Sequence, residues 1–221
     1  MDTPDLLCDR FAGAAVATQW RSLLELYKTI EQETASFCHA FDVHCPSGCG
    51  TCCEHFVPEL TDAESSLIAA YLLYVKNAPA PVAGAGSLSG PCPLYDAHSD
   101  HHCTVYPVRG MICRLFGACP SEDKGGFPVF RKCKYNEDAK ATAKLGPEDF
   151  GSESGTVPTM QRYAVKFSSI TDGSQSKPLG IAVTEQMNRL RFIAAYLDCE
   201  SGGDDNGGTD PLVPTPNPLA S

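Results

Sequence analysis

Apolar side chains recur at Val16, Trp20, Leu23, Tyr27, Ile30, Phe37 and Phe41 in alternating steps of four and three, with Thr34 filling the one gap. That spacing holds one face of an α-helix apolar, so a long amphipathic helix is predicted over about residues 14–40. The stripe is expected to pack on the cysteine-rich part of the chain. A dimerising seam is the lesser alternative, because the flanking charges of a coiled coil are sparse. Further on, Thr61-Asp62-Ala63-Glu64 reads as a capping box, and Leu67, Ile68, Tyr71, Leu72 and Val75 supply the buried face of the helix it starts. That helix should end near Asn77, because APAPVAGAGSLSG places Pro or Gly at almost every other position. Met160, Tyr163, Ala164, Phe167 and Ile170 predict one late helix, and Met187, Leu190, Ile193, Ala194 and Leu197 another.

Residues 92–135 lack helical periodicity and are rich in Gly, Pro and Cys, as expected where metal bonds rather than a large apolar core fix the backbone. The fold expected is therefore mainly α, with helices surrounding a cysteine-rich, loop-dominated metal-binding module. Residues 1–44 would be an N-terminal amphipathic helix packing on the core, and 45–135 the metal module with one internal helix. Residues 136–199 would complete the same domain with C-terminal helices, and 200–221, made of Gly, Asp and Pro, would form a disordered tail. A chain of 221 residues can bury one sizeable core.

The formal charge of −10 argues against nucleic acid as a partner, since a phosphate backbone needs clustered Lys and Arg. The first residues are acidic and lack a long apolar run, so they fit neither a secretory signal nor a membrane span, and a cytoplasmic location is expected. In a reducing compartment, cysteines are read as thiols and metal ligands before disulfides.

Nine of the twelve cysteines fall in one stretch: Cys45, Cys49, Cys52 and Cys53 in CPSGCGTCC, then Cys92, Cys103, Cys113, Cys119 and Cys133. Cys49-Gly-Thr-Cys52 is the turn that places two soft thiolates about one metal, and Gly48 and Gly50 let the backbone curl around it. Cys45 stands four residues earlier. Neighbouring side chains diverge, so Cys52 and Cys53 are not expected to face one atom. One of the two would serve a second metal, the core, or solvent as a nucleophile. Arg109 and Arg114 flank Cys113 and are expected to stabilise thiolates by charge-assisted hydrogen bonds, the alternative being plain surface arginines. His98, His101 and His102 in DAHSDHH are donors, but such a run is more often a solvated loop. Cys8, Cys38 and Cys199 read as buried thiols on helical faces.

Taken together, CPSGCGTCC, CPLY, CTVYPVRGMICRLFG and the downstream Cys133 resemble the YkgJ-like cysteine-cluster family of zinc- or iron-chelating CxxCxxCC proteins over roughly residues 45–135. The resemblance implies a metal site shared between the two groups, carried by Cys49, Cys52 and Cys53 with Cys92, Cys103 and Cys113. It matches Tyr106, Arg109, Arg114 and Phe116 to the family's Y-x-x-R-P-x-x-C-R-x-F signature. Two departures stand out. Three residues rather than two separate Cys45 from Cys49, making Cys45 the least secure ligand, and Gly110 occupies the signature's proline position. The three histidines have no counterpart in the pattern.

The function expected is a metal-binding protein that holds zinc, or iron as an iron–sulfur cluster, through cysteine thiolates. A metal-dependent protein-modifying enzyme is the alternative, because the family resembles part of the flagellin lysine N-methylases. A thiol redox protein ranks last, since the βαβ setting of a thioredoxin-like motif is missing.

Overall fold

A computed structural model describes residues 4–43, 49–81, 87–134, 144–145, 147–149, 157–171, 173 and 175–201. The fold is mainly α, as expected. Helices α1 (Pro4–Arg10) and α2 (Ala15–Ala40) lead into the one-turn α3 (Thr51–His55), strand β1 (Glu59–Leu60) and α4 (Asp62–Tyr71). After α4 come the short α5 (Met111–Leu115), strands β2 (Ser121–Glu122), β3 (Pro128–Arg131) and β4 (Lys144–Leu145), then α6 (Met160–Ile170), β5 (Lys177–Pro178) and α7 (Leu179–Ser201).

Helix α2 follows its apolar stripe closely. Trp20, Leu23, Tyr27, Ile30 and Phe37 are buried, and the Thr34 hydroxyl fills its gap by donating to the Ile30 carbonyl at 2.6 Å. The stripe faces α4, α5 and α6, so its apolar area is used within the chain. The indole of Trp20 donates to Ser66 Oγ at 2.8 Å, pinning α2 to α4.

The capping box at the start of α4 is present: Thr61 Oγ1 accepts the Glu64 N–H, and the Glu64 carboxylate accepts the Thr61 N–H at 3.1 Å. The helix runs on through one π-helical turn, Leu72–Lys76, and stops at Asn77 in the left-handed region (φ 50°), where the sequence places its end. In one respect α4 departs from expectation. It is buried all round rather than on one face, with α2 and α7 against it. Its serines satisfy themselves locally, Ser65 Oγ donating to the Thr61 carbonyl at 2.8 Å and Ser66 Oγ to Ala63 at 2.9 Å.

Two small antiparallel ladders, which the apolar pattern does not signal, fix the ends. Strands β1 and β5 pair Glu59 with Pro178 and Leu60 with Lys177, bringing the start of α7 beside the start of α4. Strands β2, β3 and β4 form a three-stranded sheet whose Phe130 and Leu145 join Phe37, Val43 and Val157 in a second apolar cluster. The main core draws residues from α1, α2, α4, α6 and α7, together with Leu94, Val105, Val108 and Leu115 of the cysteine-rich stretch. Among the described residues, no helix is long and apolar enough to cross a membrane. Helix α7 takes in residues 200 and 201, the first two of the predicted tail; Cys45, the Cys199 side chain and residues 202–221 lie outside the described residues.

Candidate metal centre

Three short segments bring cysteines together. The loop entering α3 supplies Cys49, and α3 itself supplies Cys52 and Cys53. The segment 92–103 supplies Cys92 and Cys103, and α5 supplies Cys113. The Cys92 N–H donates to the Cys53 carbonyl at 2.6 Å, and Tyr95 pairs with Cys103 in an antiparallel bridge. Tyr95 OH donates to Glu54 at 2.7 Å, a second tie between segments. Gly50 makes the approach possible. A Cβ there would overlap the side chain of His102 and stand 2.9 Å from the Tyr95 ring.

Cys49, Cys52, Cys53, Cys92, Cys103 and Cys113 all line one cavity of about 210 Å³, whose apolar wall includes Phe56, Leu94, Val105 and Phe116. All six are free thiols. The expected divergence of the vicinal pair is not what the structure has: in the single turn of α3 both sulfurs reach the cavity, 4.0 Å apart. Two ligands at Zn–S bonds of about 2.3 Å on a tetrahedral ion stand roughly 3.8 Å apart. The pair is therefore close to the edge of such a site. Among the described residues, however, no three Cys, His, Asp or Glu side chains already meet around one point.

The thiols perturb one another. The hydrogen bond from Cys53 lowers the Cys52 thiol to about 7 against the effect of burial, and the same bond, with burial, raises Cys53 far above the ordinary range. Burial pushes Cys92 up to about 11 and raises Cys103 and Cys113. Every pairing among Cys52, Cys92, Cys103 and Cys113 is close enough for one thiolate to oppose ionisation of the other. Burial and their neighbours oppose ionisation of these thiols, and a bound cation would offset that opposition. A soft or borderline metal, zinc or iron, fits that donor set.

Among the described residues, Arg109 and Arg114 do not hydrogen-bond the sulfurs, contrary to the sequence expectation, and neither is a plain surface arginine. Arg114 is buried: its guanidinium donates to the Arg109 carbonyl at 3.0 Å and the Pro107 carbonyl at 2.6 Å, pairs with Glu31, and lies 4.1 Å over the Tyr27 ring. Arg109 donates to the Tyr106 carbonyl at 2.9 Å and lies 3.8 Å over the Tyr106 ring. They brace the turn that leads to Cys113, and through space their charge opposes the rise in the Cys103 pKa.

Glu64 is a participant that sequence reasoning assigned only to capping. Its carboxylate is buried, and it accepts the Met111 N–H at 2.8 Å and the Tyr27 hydroxyl at 3.4 Å. Burial raises its pKa. At Gly110, φ is −61°, which suits the signature's proline, but a Cβ there would come within 2.8 Å of Leu60 Cδ2.

The other cysteines stand apart from the cavity lining. Cys8 is buried in the main core. Cys119 is buried, donates to the Pro120 and Pro158 carbonyls at 3.4 and 3.6 Å, and is raised by burial to about 12. Cys38 donates to the Ala118 carbonyl at 3.7 Å, and Cys133 packs beside Gly117. Of the histidines, His98 is exposed with its N–H on Asp96 Oδ1, His102 stacks on Tyr95, and His101 lines the cavity.

A helical frame enclosing a pocket of thiols defines a cysteine-cluster protein. More particularly, residues 44–142 match the family CxxCxxCC, described as a putative zinc- or iron-chelating domain, and this span contains both cysteine groups. The match supports metal binding in general terms. Neither a curated protein nor a solved structure matches the chain.

Proposed function

We propose that this chain chelates zinc or iron through Cys49, Cys52, Cys53, Cys92, Cys103 and Cys113, with Cys45 a further donor, and that it works in the cytoplasm, where thiols stay reduced. The observation that carries the reading is that six cysteines from three segments line one cavity. When bound, the metal supplies the positive charge that lets buried thiols ionise together. The protein holds the sulfurs on braced turns and keeps water away with an apolar wall.

Two kinds of centre suit clustered thiolates, a closed zinc site and an iron–sulfur cluster. A zinc site closes four thiolates at about 2.3 Å around one ion. Here the six cysteines share a cavity of about 210 Å³ with an apolar wall, and Cys52 and Cys53 stand 4.0 Å apart, near the edge length of a zinc site. A cluster is held by four cysteines, such as Cys52, Cys92, Cys103 and Cys113 could provide. Anaerobic purification followed by metal and acid-labile sulfide analysis tests both readings. Stoichiometric iron and sulfide support the cluster, and colourless protein with zinc and no sulfide excludes it. Purified protein that holds neither metal, and takes up neither after reduction, overturns the proposal.

A further inference from the structure

Among the residues lining the thiol cavity, His101 is the one imidazole. It belongs to the loop Asp96–His102. The loop backbone is closed by three bonds: Asp96 N–H to the His102 carbonyl at 3.2 Å, Ser99 N–H to Asp96 at 3.2 Å, and His102 N–H to Ser99 at 3.0 Å. His101 is thus presented from a pinned turn. Its ring is held too, stacked on Tyr106 at 4.0 Å between centroids and 16° between planes. The Arg109 guanidinium lies 3.8 Å over the same Tyr106 ring. Two groups that close cannot share one face, so Tyr106 is sandwiched between Arg109 and His101.

This geometry suits a ligand. Stacking engages the faces of the imidazole, whereas coordination uses a nitrogen lone pair in the plane of the ring, so the two do not compete. His101 is exposed on one side and reaches the cavity on the other, which places it at the mouth. Imidazole is a good donor to both zinc and iron.

We propose that His101 is a nitrogen ligand to the metal at the solvent side of the thiol cavity, positioned by the Arg109–Tyr106–His101 stack. The inference rests on the metal-binding reading above. The test uses cobalt(II), added anaerobically to the metal-free, reduced full-length chain, comparing the wild type with H101A and with H101F, which retains an aromatic ring for Tyr106 but has no donor. The expected result is that both variants lose the exchangeable, paramagnetically shifted imidazole N–H resonance and shift the cobalt d–d bands. Both should also release cobalt to a chelator faster, by roughly tenfold or more. An unchanged cobalt spectrum in H101F, whatever its release rate, overturns the proposal and reduces His101 to a stacking role. If wild-type protein shows no sulfur-to-cobalt charge transfer at all, the metal-binding reading fails and this inference with it. Thiolate bands in the wild type whose d–d spectrum is unchanged in both H101A and H101F overturn the ligand assignment alone.

Discussion

The Glu64 carboxylate accepts the Met111 N–H at 2.8 Å, so the residue that caps α4 also holds the first turn of α5, two residues before Cys113. Because Glu64 is buried, its pKa is raised above the ordinary 4.5. A raised carboxyl contributes stability that is full below the unfolded pKa and is lost as pH rises through the folded one. E64Q does not titrate and keeps an acceptor for Met111, but its amide cannot accept the Thr61 N–H. The stability advantage of wild type over E64Q should therefore be largest below about pH 4.5 and shrink toward neutrality. Urea melts of the metal-free pair across that range, followed by the fluorescence of the single Trp20, check the sign.

Arg114 makes a different prediction. Its guanidinium serves two carbonyls at once, Arg109 and Pro107, while lying over Tyr27. A lysine offers one ammonium and no planar fork, so R114K should cost nearly as much as R114A, about 2–4 kcal/mol in denaturant melts. The Glu31 partner is half-exposed and contributes little of this. A neutral R114K would show that the charge matters and the fork does not.

At Gly50 the expected effect falls on site closure. An alanine Cβ would meet His102 and Tyr95, driving the 92–103 segment away from α3. G50A should lose about 1–3 kcal/mol and, because the two cysteine groups part, a larger share of its metal affinity. Metal titrations and melts on the same preparation separate the two effects.

How far the chain could be read in advance depends on the range of the interactions. The α2 stripe, the Thr61–Glu64 box and the stop at Asn77 are local, set by residues within a few positions of each other, and they stand where the sequence puts them. Cys49, Cys52, Cys53, Cys92, Cys103 and Cys113, which line one cavity, all lie within the span that the family model matches. What the sequence hid is long-range. Glu64 reaching Met111 and Gly50 under His102 each join residues tens of positions apart, and Arg114 turns to carbonyls five and seven residues back instead of to sulfur; no periodicity encodes any of them. The vicinal thiols Cys52 and Cys53, both in the implied ligand set, approach to 4.0 Å although neighbouring side chains on a helix diverge.

That same pair gives a pH prediction. The hydrogen bond from Cys53 brings the Cys52 thiol down to about 7, whereas burial holds Cys92 near 11 and Cys119 near 12. In metal-free protein at pH 7.5, iodoacetamide should therefore label Cys52 well ahead of Cys92 and Cys119, at a rate that levels off above about pH 8. In C53A the donor is gone, and the levelling should move to higher pH. Peptide mass mapping of a labelling time course reads both, and equal rates at Cys52 and Cys92 would contradict the assignment.

Metal removal and cysteine loss should act through one free energy, because a site assembled from three segments stores its binding energy as folding energy. Wild-type protein with metal at 100 times its dissociation constant gains about 2.7 kcal/mol over the metal-free form, so a chelator should lower its melting temperature measurably. C52S, C103S and C113S should melt near the chelated wild type and respond to chelator little or not at all. Cys8 supplies the control: it lies on α1, buried in the main core, and does not line the cavity. C8A should cost about 1 kcal/mol of packing while leaving the chelator response intact. If C8A lost that response as fully as C113S, the response would report general unfolding rather than the thiol cavity.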